Sequence, residues 1–235
     1  RVVPSARGPA WSAQTTAMAG HAELRSASDP ARLTHLPRDL QFWTDFADGA
    51  VMFPLGIAVA LTLFALHQRR AATAWTLSIG CVWAAMLALK LAGYTIDALM
   101  PASPLNVVDL VTPSGHVASA SAIYGGVIGL VLRWPGTLKV RMLTASAAVA
   151  IGIGLTRIAL GEHSLSEVLI GAAVGLGGAV GLASMAGASV DRRAALALTA
   201  VTILVMAVQH GEHLSWEQGI HRFALEAIGR WRGTV

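Results

Sequence analysis

The hydrophobic residues of the chain fall into six long runs, which short polar segments separate. A helix needs about 20 apolar residues to cross the hydrocarbon core of a bilayer, within a range of roughly 17–25. Two of the runs are shorter and would need flanking residues to complete a span. The pattern predicts an all-α, polytopic membrane helix bundle with six transmembrane helices. The predicted spans are residues 50–66, 71–91, 117–132, 142–160, 165–190 and 194–209.

Two amphipathic segments flank these runs. In residues 37–48 apolar side chains recur at helical spacing between charged ones, and residues 215–232 show the same pattern after a Ser-x-x-Gln capping box. Both segments favour helices that lie at the membrane surface. The N-terminal segment mixes Arg, Ser, Pro and Ala without periodicity, which is typical of disorder. We therefore predict a disordered segment, a membrane domain and a C-terminal interfacial helix, at residues 1–35, 36–210 and 211–235.

Basic residues concentrate in three of the loops between the runs. The loops at 67–70, 133–141 and 191–193 carry seven Lys and Arg residues against one Asp. Such a bias marks the cytoplasmic side of a membrane. The loops at 92–112 and 161–164 would then share the opposite face with both termini. We expect an integral protein of a bacterial inner (cytoplasmic) membrane, with these two loops facing the periplasm or the exterior.

Composition narrows the class of protein further. Hydrophobic residues make up 54% of the chain and charged residues 13%, with a mean hydropathy of +0.60. A soluble domain carries about 25% charged residues. The net charge of +4 is modest and its cations lie in the loops, so the expected partner is the lipid bilayer and not nucleic acid. Cys81 is the single cysteine, which excludes an intramolecular disulfide. The oligomeric state stays open.

Small residues recur in the fifth run, as Gly171-x-x-x-Gly175 and Gly177-x-x-x-Gly181. This spacing lets helices approach closely. It favours packing inside one monomer, with a dimer face as the alternative.

The first stretch with candidate chemistry is Thr112-Pro113-Ser114-Gly115-His116. Pro113 presets a helical φ, and Ser114 and Gly115 offer backbone N–H groups at the start of the next helix. Such a start favours a bound anion. His116 adds a side chain that can carry a proton near neutral pH.

The second stretch ends the fourth run and contains Arg157, His163 and Glu167. Residues i and i+4 share a helix face, so Glu167 can reach His163. An anion cradle, a buried cation, two imidazoles and a carboxylate are what phosphoryl transfer through histidine requires.

Other interpretations of single residues stay open. Arg157 could form a structural pair with Glu162 or Glu167, and Lys90 could extend its side chain to the membrane interface. Ser114 as a nucleophile would lack the Gly-x-Ser-x-Gly elbow. A metal site at His163 would lack a carboxylate cluster, so we expect neither a metal nor another cofactor.

These motifs resemble those of the type-2 phosphatidic acid phosphatase superfamily over roughly residues 50–190. The second family motif, Pro-Ser-Gly-His, is matched in full by residues 113–116. The third, Ser-Arg, five residues, His, three residues, Asp, keeps its spacing here, with Thr156 for Ser and Glu167 for Asp. The first, Lys, six residues, Arg-Pro, is degenerate, because Asp97 and Ala98 follow Lys90 where Arg and Pro belong.

The resemblance implies a metal-independent membrane phosphatase of the acid-phosphatase type that hydrolyses a lipid phosphate. His163 would be the nucleophile, Glu167 would orient it, and His116 would protonate the leaving oxygen. The substrate phosphate would lie on Arg157, Ser114, Gly115 and Lys90. Phosphatidate, phosphatidylglycerol phosphate and polyprenyl diphosphate are all possible substrates. The main alternative is an inactive or weakly active lipid-phosphate-binding protein, because the first motif is broken. A vanadium haloperoxidase would be soluble, and no internal repeat favours a transporter.

Overall fold

The structure is a computed structural model, and it describes residues 30–99, 112–132 and 135–213 together with Gly219, Ile220, Phe223 and Glu226. All regular elements in this part of the chain are α-helices, which confirms the predicted all-α class. The helices are α1 (Pro30–Asp45), α2 (Gly49–Ala65), α3 (Arg69–Leu99), α4 (Gly115–Val131), α5 (Leu138–Ala159), α6 (Leu165–Ala186) and α7 (Arg192–Gln209).

The chain divides into two compact units, Arg1–Asp39 and Leu40–Val235. In the first unit the described residues, 30–39, form the beginning of α1. This helix begins at Pro30, because a fixed φ and a missing N–H suit the first position of a helix. Residues 30–35 are therefore helical, where the sequence predicted disorder. The remainder of that predicted disordered segment lies outside the described residues.

The second unit contains the rest of α1 and helices α2 to α7. The predicted surface helix at 37–48 is helical only as far as Asp45, because a turn follows. Asp48 ends this turn and caps α2, since its Oδ1 accepts a hydrogen bond from the backbone N–H of Ala50 at 2.8 Å. The predicted helix at 215–232 lies mostly outside the described residues, and its four described residues are helical.

Five described helical segments are long and apolar enough to cross a membrane, and a sixth is shorter. These five are candidate spans by length and composition, and the predicted count of six is not confirmed. The short helix is α4, whose 17 residues extend about 25 Å at 1.5 Å per residue. The five candidates are Arg38–Ala65, Arg69–Ile96, Leu138–Ala159, Leu165–Ala186 and Arg192–Gln209, the first of which includes the turn between α1 and α2.

The position of α4 explains its short length. It contacts all five of the helices α2, α3, α5, α6 and α7, and most of its residues are buried. Since these five helices surround α4, its apolar side chains pack mainly against protein. Its N-terminus carries the Pro-Ser-Gly-His motif.

Glycines hold α6 close to α4. A methyl group added at Gly171 would overlap the carbonyl of Ser114, and one at Gly175 would overlap the hydroxyl of Ser121. The first small-residue motif therefore packs inside the monomer, as predicted. In the second motif Gly177 has no described atom within 4 Å of an added Cβ, so it does not contribute to this packing.

The three basic loops meet at the end of the bundle opposite to the motifs. Gln68 Nε2 donates to Asp191 Oδ2 at 2.6 Å, and Arg141 Nη2 donates to Ser189 Oγ at 2.9 Å. Arg70 Nε also donates to the last turn of α6. The loops that were assigned to one side thus lie together, while the side of the membrane itself remains a prediction.

Candidate active site

The N-terminus of α4 packs on the N-terminus of α6. The backbone N–H of Ser114 donates to the carbonyl of Glu167 at 3.1 Å. Ser114 is the N-cap residue of α4, so the helix begins at the predicted place. Its side chain is fully buried, and its Oγ has no hydrogen-bond partner among the described residues. Buried hydroxyls normally have a partner, and a bound anion would supply one here.

The Glu167 carboxylate joins three separate segments. Its Oε2 accepts hydrogen bonds from His163 Nδ1 at 3.0 Å and from the backbone N–H of Ser164 at 3.1 Å. Its Oε1 accepts from the backbone N–H and the hydroxyl of Thr112, at 2.9 and 3.0 Å. With four bonds the carboxylate is held firmly, and it fixes the imidazole of His163.

The predicted contact between His163 and Glu167 is present, but its local cause differs from the predicted one. His163 does not lie on the helix, because α6 begins at Leu165. Ser164 is the N-cap residue and forms a capping box with Glu167, which turns the carboxylate back toward the preceding residue. Since an ionised carboxylate only accepts, Nδ1 of the neutral imidazole carries the proton and Nε2 carries the lone pair.

Arg157 lies in the last turn of α5 with only 6% of its surface exposed. Its Nη2 forms an ion pair with Glu162, and its Nη1 donates to Thr44 Oγ1 at 3.5 Å. The structural pair that the sequence left open is therefore present with Glu162 and not with Glu167. The Nε of Arg157 is buried and has no hydrogen-bond partner among the described residues. A guanidinium has five donors, so this arrangement leaves capacity for an anion.

Lys90 and His116 also lie at the N-terminus of α4. Lys90 is buried, and its Cε lies 3.6 Å from the position that a Cβ of Gly115 would occupy. The lysine thus extends toward the motif and not toward the membrane interface. His116 Nε2 lies 3.7 Å from Asp48 Oδ2. Asp97 lies in α3, and its side chain is outside the part of the chain that the structure describes.

A cavity of about 280 Å³ lies beside Lys90, Gly115 and His116. Its lining does not include Arg157 or His163. The cavity therefore borders the site on the side of His116. Its other walls are mainly apolar side chains, which include Met52, Phe53, Trp83, Met86, Leu87 and Ile220.

Six of the seven predicted site residues form one connected group at this end of the bundle. Ser114 joins Glu167 and His163 to Gly115, His116 and Lys90, through the contacts given above. The seventh, Arg157, is paired with Glu162, which directly precedes His163 in the chain. Among the described residues, no cluster of three or more His, Cys, Asp or Glu side chains could hold a metal ion.

Sequence reasoning missed the contribution of the turn between α1 and α2. Thr44 contacts Arg157, and Asp48 contacts both His116 and His213. The one available signal was the position of Asp48 immediately before an apolar run, which is typical of a helix N-cap. Such a signal identifies a helix start but not its partners elsewhere in the chain.

Comparison with known families gives an independent result. Residues 100–191 match the model of the PAP2 superfamily. This segment is similar to that superfamily, and we call residues 100–191 the PAP2 segment. The match confirms the resemblance drawn from the motifs and includes both histidines, Arg157 and Glu167. It supports a phosphatase-type activity, and the apolar helices together with the PAP2 match indicate an integral membrane protein. No curated protein and no solved structure matches the chain.

Proposed function

We propose that the protein is an integral membrane phosphatase that hydrolyses a lipid phosphate monoester or diphosphate through a phosphohistidine at the extracytoplasmic face. The observation that carries this proposal is the hydrogen bond of His163 Nδ1 to Glu167 at 3.0 Å. It directs the lone pair of the imidazole to Nε2, in a site that also holds a buried guanidinium. These groups would supply a nucleophile, its orienting carboxylate and a phosphate-binding cation.

In the first half of the reaction, the substrate phosphate binds to Arg157, Lys90, Ser114 Oγ and the N–H groups at the start of α4. These donors stabilise the charge on the equatorial oxygens in the transition state. The lone pair of His163 Nε2 forms a bond to phosphorus while the bond to the leaving oxygen breaks. Protonated His116 gives its proton to that oxygen, so the lipid leaves as an alcohol or, from a diphosphate, as a monophosphate.

In the second half, a water molecule attacks the phosphohistidine. His116, now neutral, takes a proton from this water while the bond between phosphorus and Nε2 breaks. Inorganic phosphate leaves, and both imidazoles return to their initial states. Throughout, Glu167 keeps the Nδ1 proton of His163 in place and stabilises the positive charge of the ring.

The apolar cavity supports a lipid as the substrate. It borders His116, which is the residue that protonates the leaving group, and not His163, which attacks. A leaving alcohol that carries hydrocarbon would therefore have an apolar space next to the general acid. Burial of each CH₂ group contributes about 0.8 kcal/mol, so a chain in this cavity would add substantially to binding. Phosphatidate, phosphatidylglycerol phosphate and polyprenyl diphosphate all fit this description.

A second candidate is a lipid-phosphate-binding protein with weak or no catalysis. Two observations favour it: Asp97 and Ala98 replace the Arg-Pro of the first family motif, and Arg157 is already paired with Glu162. Both would reduce the positive charge available to a phosphate dianion.

The test is phosphate release from the three lipids by the purified, detergent-solubilised protein, with and without EDTA. We expect one or more lipids to be hydrolysed in EDTA, and His163→Ala to reduce the rate by at least about 10³-fold, more than loss of a single transition-state donor. The matched control is His67→Asn, at an exposed position at the opposite end with a φ of 58° that Asn tolerates.

The intermediate can be tested separately. Brief reaction with a ³²P-labelled lipid and an alkaline quench should leave label on the wild-type protein and none on His163→Ala. Hydrolysis that survives in His163→Ala would contradict the mechanism. Binding of all three lipids without any release of phosphate would favour the second candidate.

A further inference from the structure

Asp48 lies outside the PAP2 segment, yet it reaches into the site that this segment forms. Its two carboxylate oxygens have different partners. Oδ1 accepts a hydrogen bond from the backbone N–H of Ala50 at 2.8 Å and caps α2. Oδ2 lies 3.7 Å from His116 Nε2 and 3.5 Å from His213 Nδ1.

The cap makes Asp48 a fixed neighbour of His116. A side chain that caps a helix is held in one orientation, so its second oxygen points in a constant direction. The side chains of Asp48 and His116 are 12% and 19% exposed, whereas that of His213 is 54% exposed. Water screens the pair with His213 much more strongly than the pair with His116.

The pair of Asp48 and His116 resembles the pair of Glu167 and His163, since in each a carboxylate lies beside one nitrogen of an imidazole. Glu167 holds one nitrogen of His163 and leaves the second to react. Asp48 approaches one nitrogen of His116, and the cavity borders the same histidine. A carboxylate at this place orients the ring and stabilises its cationic form by charge, as the aspartate of a catalytic triad does.

We propose that Asp48 is a positioning residue that holds His116 as the acid for the leaving oxygen. This inference rests on the proposed function, in which His116 transfers a proton to the departing lipid. The helix cap at the beginning of α2 and the acid at the beginning of α4 are thus coupled through one carboxylate.

The informative variant is Asp48→Asn, because Asn caps a helix as well as Asp and keeps the volume but removes the charge. The matched control is Asp191→Asn, since Asp191 caps α7 in the same way, through Ala194 N at 2.8 Å, at the opposite end of the bundle. Both variants should have the same thermal stability to within a few degrees, and only Asp48→Asn should lose activity.

Kinetics on two substrates distinguish a residue that positions His116 from one that only stabilises the fold. General acid catalysis contributes about 10²–10⁴-fold, so we expect Asp48→Asn to lower kcat by about 10–100-fold on the lipid hydrolysed fastest in the panel, with little change in KM. On p-nitrophenyl phosphate the loss should be much smaller, because nitrophenolate leaves without a proton. Asp191→Asn should lower neither rate.

A double-mutant cycle on the lipid substrate gives a second measure that does not need the nitrophenyl ester. If Asp48 acts through His116, Asp48→Asn should cause no further loss in a His116→Ala background. Equal losses in both backgrounds, or equal losses on both substrates, would overturn the inference. So would a His213→Ala variant as slow as Asp48→Asn, since it would assign the carboxylate to His213.

The same variants separate the role of Asp48 from the phosphatase mechanism itself. If His163→Ala keeps its activity, or no lipid is hydrolysed, the proposed function fails and Asp48 has no acid to position. If His163→Ala is inactive and the cycle at Asp48 and His116 is additive, the phosphatase mechanism stands and only the role of Asp48 is wrong.

Discussion

Arg157 has two neighbours of different kinds, a neutral hydroxyl and a charged carboxylate. Thr44 Oγ1 accepts from Nη1 as a neutral partner, while Glu162 pairs with Nη2 as a charged one. The side chain of Glu162 is 39% exposed, so this pair lies at the edge of the site. In the proposed mechanism, a substrate phosphate would therefore compete with a carboxylate for part of the guanidinium.

Glu162→Gln should tighten phosphate binding, because it removes this competition and keeps the size of the side chain. An exposed ion pair is worth about 0.2–1 kcal/mol, so KM for the lipid and the inhibition constant of inorganic phosphate should fall by up to about fivefold. The matched control is Glu212→Gln, in the similar sequence Gly-Glu-His at residues 211–213. A rise in KM would instead show that Glu162 holds Arg157 in its productive position.

Lys90 supplies the second cation of the site, because it is buried and extends to Gly115. Lys90→Ala should lower kcat/KM by at least about tenfold, which corresponds to 1.36 kcal/mol of lost transition-state stabilisation. The control is Lys139→Ala, at an exposed position at the opposite end. Activity that is unchanged by Lys90→Ala would leave Arg157 as the only side-chain cation that matters.

Asp97 occupies the position at which the family motif has arginine. Two like charges at 4 Å repel by about 1 kcal/mol in water and by more in a drier site. Asp97→Arg should therefore leave kcat/KM unchanged or raise it. A loss of activity with intact folding would show that the carboxylate has a role of its own.

The residues of the site could be predicted to different degrees. The spacing of His163 and Glu167 was sufficient to predict their contact, although a capping box and not a shared helix face produces it. The contacts of Asp48 and Thr44 could not be predicted, because they join a turn near residue 46 to helices that begin or end far along the chain. Hydrophobic periodicity contains no information about such partners.

At the scale of elements, the packing of α4 against α6 positions the proposed anion-binding site. Both helices begin at this contact, and the carbonyl of Ser114 lies directly over Gly171. A side chain at residue 171 would push α4 away from Glu167 and from the capping box that orients His163. The glycine thus connects helix packing to the geometry of the site.

Gly171→Ala should destabilise the protein by about 1–3 kcal/mol, the usual cost of overpacking a tight contact. Its midpoint of thermal unfolding in detergent should fall by several degrees, and kcat should fall with it. Gly177→Ala is the matched control on the same helix. Since an added methyl there meets no described atom within 4 Å, helix propensity should make this variant neutral or more stable by about 0.5–1 kcal/mol. Equal midpoints of thermal unfolding for the two variants would exclude the packing role of Gly171.

The order and type of the helices could be predicted from sequence, because apolar runs and capping residues directly determine them. The length of α4 was the difficult point. We predict that its 17 residues suffice for a span because its neighbours cover it, and that cover depends on how the other five helices assemble. The same assembly decides which glycines of α6 face a neighbour, and the small-residue spacing alone could not distinguish Gly171 from Gly177.

At the scale of the whole molecule, the two ends of the bundle differ in chemistry. One end gathers the site, with Glu167, Arg157 and both histidines, while the other gathers the basic loops. Because hydrogen bonds join these loops to one another or to neighbouring helix ends, they have to lie on the same side of the membrane. We predict from this that α4 crosses the bundle in spite of its length and, from the cation bias, that the loop end faces the cytoplasm.

Labelling of single cysteines tests this arrangement as a whole. Cys81 is exposed and would also react, so it is first replaced by alanine. In that background Lys139→Cys reports on the loop end and Glu212→Cys on the site end, and both positions are exposed. In intact cells a membrane-impermeant maleimide should label residue 212 and not residue 139. In inverted vesicles the result should be reversed, because the basic loops then face the reagent.

Labelling of both positions from one side would contradict a bundle in which α4 connects the two faces. A complete exchange of the two results would keep the bundle but place the site in the cytoplasm. In that case the lipid would have to present its phosphate to the site from the inner leaflet.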